Sequence, residues 1–417
     1  MKTTTILILM IIGLFITKTF SQTAYITNNG IYNNSVSVIN VLTNSVAATI
    51  TVGPFPFGVS VSPDGSKVYI GNQGSGGSVS VINTATNIVS ATIPLVTNYP
   101  IGISISSDGS KLYVASPSPN EITIINTATN TVSSVISLPL NDNPYGICVS
   151  PDGSKVYFTI SNSTAGTVGV INTATNTLST TIAVGSYPRG LAVSPDGSKV
   201  YVCNSYSTFI SVINTVTNTV SATIPVDSLP TSICVSPDGS KLYVSAAYNS
   251  LIVINTATNV VSNIIQVGSN PAGVSVTPDG NYVYVANIND STVSVINTST
   301  NSVVNTIKVG YQPEAFGNFI SSYSQNTGIN MLSTKSENIT ISPNPTSSLT
   351  TITFSSEQTN TTIKITDILG QGIKNYELGI RNGKTVTLDM NGYAKGIYFV
   401  QITDANKNVV NKKVVVQ

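Results

Sequence analysis

Short alternations of apolar and polar residues recur along most of the chain, and polar turns separate them. The run Gly58-Val59-Ser60-Val61-Ser62 alternates apolar and small side chains and is followed by Pro63-Asp64-Gly65. Such alternation predicts a β-strand with one buried face, and Pro-Asp-Gly predicts a tight turn. The turn Asn83–Asn87 later joins two further strands. This stretch therefore predicts four antiparallel strands, named a to d, at Gly58–Ser62, Lys67–Asn72, Ser78–Ile82 and Ile88–Pro94.

The four-strand pattern repeats every 41–46 residues. An Asp-Gly turn marks each a–b connection, and its aspartates are Asp64, Asp108, Asp152, Asp196, Asp238 and Asp279. A Val-Ile-Asn phrase ends strand c in most copies, and its asparagines are Asn40, Asn83, Asn126, Asn172, Asn214, Asn255 and Asn297. Seven β units of this period are typical of a β-propeller with one blade per repeat.

The two ends of the repeat region predict how the ring closes. Residues 23–28 resemble a strand b that has no strand a before it, whereas residues 313–319 resemble a strand a that has no blade after it. The last segment can therefore complete the first blade, which leaves no open sheet edge. A solenoid is the alternative, but it would need capping units instead of a split blade. We predict an all-β fold, with a seven-bladed propeller at 23–320 and a small C-terminal β-sandwich.

The order of strands predicts two different faces. The a–b and c–d turns are uniform in sequence and lie on one face, which we call the turn face. The b–c and d–a connections vary in length and chemistry and lie on the other, which we call the variable face. Function is usually carried by variable loops on a rigid frame, so we expect it there. In the a–b turns, we expect the repeated Asp and Lys to pair at the surface.

The repeats resemble the YVTN family of β-propeller repeats. The resemblance rests on Tyr25-Ile26-Thr27-Asn28 and Tyr201-Val202-Cys203-Asn204, on Ser-Pro-Asp-Gly-Ser-Lys and on Val-Ile-Asn-Thr-Ala-Thr-Asn. It implies a propeller over about 23–320 in an exported protein. Related propellers include lactonases, so the resemblance specifies the fold more closely than the activity.

Beyond the repeats, the composition changes twice. Residues 321–338 are rich in Ser, Asn and Thr and are predicted to form a linker, whereas residues 339–417 contain new strand patterns. This tail resembles the type A C-terminal sorting domain of the type IX secretion system. The resemblance implies that the secretion machinery binds residues 339–417. It is carried by Ser342-Pro343-Asn344-Pro345, Asp367-Ile368-Leu369-Gly370-Gln371, Gly396-Ile397-Tyr398-Phe399-Val400 and Lys412-Lys413-Val414-Val415-Val416.

The first 22 residues have the pattern of a secretory signal peptide. Lys2 precedes an apolar run from Ile6 to Ile16, and Phe20-Ser21-Gln22 suits cleavage. This run is too short to span a bilayer, and no later segment is long and apolar enough. We predict a bacterial protein that is secreted or displayed on the outer surface, with no transmembrane segment.

Composition excludes several kinds of site. The chain has no histidine, which removes Ser-His-Asp catalysis and His-ligated metals. Its net charge of +1 gives no attraction to nucleic acid. The cysteines Cys148, Cys203 and Cys234 occupy small-residue positions, and no disulfide is expected. We therefore predict no catalytic residue, no cofactor and no metal site, and no nucleic-acid partner. Calcium bound by Glu121 and Asp142 is a weaker alternative, because the chain lacks an Asp-x-Asp-x-Asp-Gly loop.

Candidate ligand-binding residues lie where strand a begins on the variable face. There, Pro-x-Gly repeats carry aromatic and charged residues at x or before the proline. Such side chains can stack on sugar rings or bind an extended peptide, although aromatics beside proline can also seal neighbouring blades. The candidates are Phe55, Phe57, Tyr99, Tyr145, Tyr187, Arg189, Tyr311 and Glu314.

These observations favour a non-enzymatic binding module for a glycan, a peptide or another surface component. An enzyme of the lactonase or polysaccharide-lyase type is an alternative, which the absence of histidine weakens. A structural component of a surface layer is a third possibility, because the propeller region carries few charges.

Overall fold

In the computed structural model, the chain divides into two compact units, 1–324 and 325–417. The structure describes only part of each unit. The described residues are 22–30, 34–96, 99–161, 166–321, 340–342, 344, 346–358, 361–366, 372–378, 383–403 and 409–416. Residues 1–21 of the predicted signal peptide and residues 322–338 of the predicted linker lie outside them.

Seven antiparallel sheets form the first unit, one for each sequence repeat. Within a sheet the strands follow chain order from the innermost to the outermost. Each innermost strand contacts that of the next blade, so the sheets form a ring. The predicted all-β fold and seven-bladed propeller are confirmed.

Six blades have four strands each, and the first has three. The first is β1 (Thr23–Asn28), β2 (Ser35–Asn40) and β3 (Ser45–Thr51). The second is β4 (Pro56–Val61), β5 (Lys67–Asn72), β6 (Ser78–Asn83) and β7 (Ile88–Pro94). The third is β8 (Gly102–Ile105), β9 (Lys111–Pro117), β10 (Asn120–Asn126) and β11 (Thr131–Ser137). The fourth is β12 (Pro144–Val149), β13 (Lys155–Ile160), β14 (Thr167–Asn172) and β15 (Thr177–Ala183).

The remaining blades follow the same order. The fifth is β16 (Pro188–Val193), β17 (Lys199–Asn204), β18 (Phe209–Asn214) and β19 (Thr219–Pro225). The sixth is β20 (Pro230–Val235), β21 (Lys241–Ala246), β22 (Ser250–Asn255) and β23 (Val260–Gln266). The seventh is β24 (Pro271–Val276), β25 (Tyr282–Asn287), β26 (Thr292–Asn297) and β27 (Ser302–Lys308).

Residues 313–321 close the ring, but not as a regular strand. Their two ends join blade one, since Glu314 N donates to Thr27 O at 2.9 Å and Ser321 N donates to Thr23 O at 2.9 Å. Between them, β28 (Phe316–Asn318) pairs in parallel with β4 of blade two. Ala315 and Gly317 have φ values of 48° and 125°, which interrupt an antiparallel ladder. The segment therefore bridges two blades, whereas the sequence predicted a plain fourth strand for the first.

A column of tyrosines supports the packing between blades. All seven are at most 2% exposed, and their rings join hydrophobic clusters that extend across neighbouring blades. They are Tyr25, Tyr69, Tyr113, Tyr157, Tyr201, Tyr243 and Tyr284. The repeating residues of strand b thus form the scaffold, in keeping with their repetition.

The turn face is held by hydrogen bonds, and the expected pairing of Asp with Lys is wrong. In blade four, Asp152 Oδ2 accepts from Ser154 Oγ at 2.7 Å and Asp152 Oδ1 accepts from Ser154 N at 3.1 Å. Lys155 Nζ instead donates to Thr215 O of blade five at 2.7 Å. The aspartate stabilises its own turn, and the long lysine side chain reaches the c–d turn of the next blade.

The C-terminal unit contains two sheets that share one hydrophobic core. The first sheet has the order β29 (Thr340–Ser342), β30 (Leu349–Gln358) and β33 (Gly383–Asp389). The second has the order β32 (Gly372–Leu378), β31 (Thr361–Thr366), β34 (Gly396–Thr403) and β35 (Val409–Val416). Asn344 Oδ1 accepts from Val415 N at 2.8 Å, which joins the first sorting motif to the last strand.

Candidate ligand site at the channel mouth

The structure separates the eight predicted site residues into two groups on the variable face. Phe57, Tyr145, Arg189 and Glu314 belong to the inner segments of blades two, four, five and one. Phe55, Tyr187 and Tyr311 lie in the d–a connections just before the inner segments of blades two, five and one, and Tyr99 lies in the connection before β8 of blade three. The four inner residues are linked by ring contacts or by electrostatic interactions. The four outer residues lie in the loops of the same face.

Three aromatic rings close the channel at this face. The ring centroids of Phe57 and Tyr145 are 6.2 Å apart, those of Tyr145 and Phe316 are 5.3 Å apart, and those of Phe57 and Phe316 are 5.8 Å apart. Phe57 and Phe316 are 9% and 6% exposed, so both contribute to packing. We call these three residues the plug.

Phe316 was missed by the sequence analysis. Its column in strand a otherwise holds aliphatic residues, namely Val59, Ile103, Ile147, Leu191, Ile233 and Val274. An apolar residue at a core position is expected to pack, so Phe316 was not predicted to lie at the mouth. The signal that could have identified it is that Phe316 is the one aromatic residue in that column.

Arg189 lies beside the plug. Its guanidinium carbon is 5.4 Å from the centroid of the Tyr145 ring, which is a cation–π distance. Within the described part of the chain, the guanidinium N–H groups form no hydrogen bond. A half-buried arginine with free donors can bind acceptor groups of a ligand.

Glu314 faces the same region from the closing segment. Burial raises the pKa of its carboxyl group from 4.5 to about 7, although the positive charge of Arg189 opposes this shift. Burial also raises the pKa of Tyr145 to about 12, with Arg189 lowering it and Glu314 raising it. These three groups from blades four, five and one therefore interact electrostatically.

The outer residues present aromatic surface to solvent. Phe55, Tyr99 and Tyr311 are 38%, 50% and 54% exposed. Tyr187 is half-buried and its ring centroid is 4.5 Å from that of Tyr206. Tyr206 belongs to a b–c loop and was not predicted, because it lies outside the Pro-x-Gly column that pointed to the other candidates.

Two of these aromatics have an unfavourable backbone conformation. Phe55 and Tyr187 have φ values of 51° and 47°, in the left-handed region that suits Gly or Asn. Asn143, Asn270 and Gln312 have the same conformation in the same column, with φ values of 44°, 55° and 53°. At least five positions of the column thus share this conformation, and large aromatics occupy two of them, where asparagine would fit better.

The acidic residues of the variable face are not gathered into one cluster in the described part of the chain. Glu121 is 8% exposed and its Oε1 accepts from the Thr123 hydroxyl at 3.0 Å. Asp290 Oδ2 accepts from Ser269 N at 2.6 Å. Among the described residues, no group of three or more potential metal-binding side chains occurs.

Below the plug, the inner strands surround a cavity of about 370 Å³. Its lining extends from Phe316 to Pro195 and Pro278 of the a–b turns. Cys148 and Cys234 also line it, and both are free thiols whose pKa is raised by burial. Protonated thiols in such surroundings are unreactive.

Family models match both parts of the chain. The secretion system C-terminal sorting domain matches residues 340–417, the YNCE-like β-propeller matches 148–251, and the seven-bladed β-propeller lactonase family matches 213–309. The chain is therefore a β-propeller protein with a C-terminal sorting domain for type IX secretion. Such a domain directs export to the cell surface or the medium. No curated protein matches the chain in sequence.

Solved structures of the same fold come from different proteins. Hydrazine synthase of Kuenenia stuttgartiensis is 22% identical with a TM-score of 0.59, covering 64% of this chain and 90% of its own. A protein of unknown function from Desulfotomaculum acetoxidans is 17% identical with a TM-score of 0.61, covering 71% and 100%. A putative 6-phosphogluconolactonase from Bacteroides fragilis is 19% identical with a TM-score of 0.58, covering 71% and 98%.

Identities this low support the fold alone. The described residues also contain no helix of the length and apolarity needed to cross a membrane.

Proposed function

We propose that this exported β-propeller is a binding module that recognises glycans through the variable face. The observation that carries the proposal is the set of exposed aromatics around Arg189 and Glu314. Exposed tyrosine rings next to free hydrogen-bond donors and acceptors suit sugar rings, which offer C–H faces and hydroxyl groups. Phe55 and Tyr187 support the proposal further, because aromatic residues are retained there at a backbone conformation that disfavours them.

A glycan array with the purified full-length chain tests this proposal. We expect selective binding that is lost when two exposed aromatics are replaced in a Tyr99→Ser/Tyr311→Ser variant. A Leu42→Ser/Val216→Ser variant is the matched control, since these side chains are 66% and 86% exposed on the turn face. Equal loss in both variants, or no binding by folded protein, would contradict the proposal. In the second case, regular lateral assembly seen by electron microscopy would favour a surface-layer component.

A lactonase-type enzyme is the second candidate function. It is supported by the lactonase family match over residues 213–309 and by the raised pKa of Glu314, which suits a general base near neutral pH. The absence of histidine from the chain weakens it. Hydrolysis of simple lactones, lost in Glu314→Gln, would support the enzyme. No turnover above the rate of a heat-denatured control would exclude these substrates.

We propose domain boundaries at 1–22, 23–320, 321–338 and 339–417, for signal peptide, propeller, linker and sorting domain. Deletion of 339–417 should leave the propeller in the periplasm, because the secretion machinery would have no domain to bind. Fractionation of cells that produce the full-length and truncated chains measures this. Surface display of the truncated chain would contradict the assignment.

A further inference from the structure

Arg189 and Glu314 are the two charged residues of the Pro-x-Gly column, and their charged groups have no hydrogen-bond partner in the described part of the chain. Arg189 is the single arginine among residues 23–320. Among the described residues, neither its guanidinium nor the Glu314 carboxylate forms a hydrogen bond. Both side chains are only half-buried, so a ligand can reach them.

Most charges elsewhere have partners. The lysine ammonium groups of Lys67, Lys111, Lys155 and Lys241 donate to backbone carbonyls of the next blade. The turn aspartates accept from neighbouring hydroxyl and backbone N–H groups, as Asp108 does from Ser106 and Ser110. A half-buried guanidinium and carboxylate without such bonds have hydrogen-bonding capacity left for a ligand.

The charge of the variable face indicates what kind of ligand fits. Arg189 and Glu314 together are neutral when both are ionised. Elsewhere on the variable face lie four further carboxylates and one further cation, which are Glu121, Asp142, Asp227, Asp290 and Lys308. A ligand with carboxylate or sulfate groups would be repelled by this surplus. A neutral ligand would not be repelled. To satisfy both side chains, it must offer a hydrogen-bond acceptor to the guanidinium and a hydrogen-bond donor to the carboxylate.

We infer that the mouth binds a neutral sugar ring through two neighbouring hydroxyl groups. One hydroxyl accepts from the Arg189 guanidinium and the next donates to the Glu314 carboxylate. A hydroxyl group can both donate and accept a hydrogen bond. Hydrogen bonds to charged groups are stronger than those between neutral groups. The plug beneath these residues keeps the site shallow, so a chain end or a single ring fits better than a threaded polymer. This inference rests on the proposed glycan-binding function and specifies its ligand class.

Binding of neutral and acidic oligosaccharides to the purified full-length chain, measured by calorimetry at pH 8, tests the inference. The probes are gluco-, manno- and galacto-oligosaccharides, with oligogalacturonate as the acidic comparator. We expect a neutral probe to bind and oligogalacturonate to bind much more weakly. Arg189→Met should lower the affinity for the neutral probe by about 10-fold or more, because a hydrogen bond to a charged donor is lost.

Two further variants keep the test informative. Glu314→Gln preserves shape and should lower the affinity several-fold, and it serves if Arg189→Met does not fold. Lys199→Met, on the turn face, should leave the affinity unchanged. Thermal unfolding of each variant shows that it is folded.

The outcomes separate the two proposals. Preference for oligogalacturonate, strengthened in Glu314→Gln, would overturn the neutral-sugar inference. So would neutral binding that persists in Arg189→Met and Glu314→Gln but is lost in Tyr99→Ser/Tyr311→Ser, although glycan binding by the variable face would then stand. The absence of any glycan binding by the folded wild-type chain would overturn both proposals.

Discussion

The two faces of the propeller are built from the same repeats, but they differ in how their polar groups are hydrogen-bonded and in how much aromatic surface they expose. On the turn face, the aspartates of the a–b turns accept hydrogen bonds within their own turns, as Asp152 does from Ser154, and lysines link one blade to the next, as Lys155 does with Thr215. On the variable face, large aromatics are exposed and the charged groups of Arg189 and Glu314 have no hydrogen-bond partner among the described residues. Repetition thus marks the positions that stabilise the ring, and departure from it marks the positions for which we propose a role in recognition.

The plug is the strongest exception to this division, since it lies on the variable face but its residues Phe57 and Phe316 are buried. Phe316→Ala should cost about 3 to 5 kcal/mol in the free energy of unfolding, because it leaves a cavity at the ring closure. Urea unfolding of the full-length chain measures this. Tyr99→Ala, at an exposed site, should change the value by about 0.5 kcal/mol or less. Similar costs for the two variants would remove the distinction between plug and outer aromatics.

Glu314 should make the propeller less stable as the pH rises. Its pKa is raised from 4.5 to about 7 in the folded chain, so the folded state retains the proton that the unfolded state releases. Its favourable contribution is complete below about pH 4.5 and is lost by pH 7. Glu314→Gln should therefore be more stable than wild type at pH 8 by about 1 to 2 kcal/mol, allowing for partial exposure to water.

Urea unfolding at pH 5, 6, 7 and 8 measures this difference. The two proteins should be nearly equal in stability at the lowest pH and diverge above it. Parallel pH profiles would show that Glu314 titrates normally in the folded chain.

The turn aspartates should have the opposite effect on stability, making the propeller less stable as the pH falls. Hydrogen bonds from Ser150 and Ser154 lower the pKa of Asp152 to about 2. Its contribution is present above about pH 4 and is lost as the pH falls towards 2. Asp152→Ala should cost about 1 kcal/mol at pH 7 and less at pH 3. Asp142→Ala on the variable face is the control and should have little effect, and a larger loss there would reverse the comparison of the faces.

Replacing Phe55 tests whether an aromatic residue at this position lowers the stability of the propeller while contributing to the proposed glycan binding. Phe55→Asn should increase the free energy of unfolding by about 0.5 to 1 kcal/mol, because Asn tolerates a φ of 51° better. It should also weaken glycan binding. Leu229→Asn is the control and should not stabilise, since Leu229 holds the equivalent position before Pro230 and is not among the described residues with a positive φ. Destabilisation by Phe55→Asn would show that the phenyl ring is needed for packing.

The smallest expected effect concerns the links between blades on the turn face. Lys155→Met removes the hydrogen bond to Thr215 and should cost about 0.5 kcal/mol. Lys199 has the same position in blade five, but its ammonium group forms no such bond among the described residues, so Lys199→Met should cost less. Chemical unfolding distinguishes the two only when many replicates are compared. A larger cost for Lys199→Met would show that the contact to Thr215 does not explain the role of the lysine.

The sequence by itself determined the seven blades, the identity of the two faces and the sorting tail. These follow from local chemistry, because alternation specifies strands, Asp-Gly specifies turns and the spacing of the copies specifies the ring. The sequence also predicted eight candidate residues for the mouth, because they stand out in or beside a repeat column, but it did not predict Phe316 or Tyr206.

Only the tertiary structure decided how those residues are divided between packing and exposure. The contact of Arg189 with Tyr145, the raised pKa of Glu314 and the plugging role of Phe316 all join residues from blades that are far apart in the chain. The irregular closure likewise depends on Gly317 meeting blade two, at a position where an added Cβ would meet the backbone of Val59. No local pattern contains such contacts, because the ring must close before they exist.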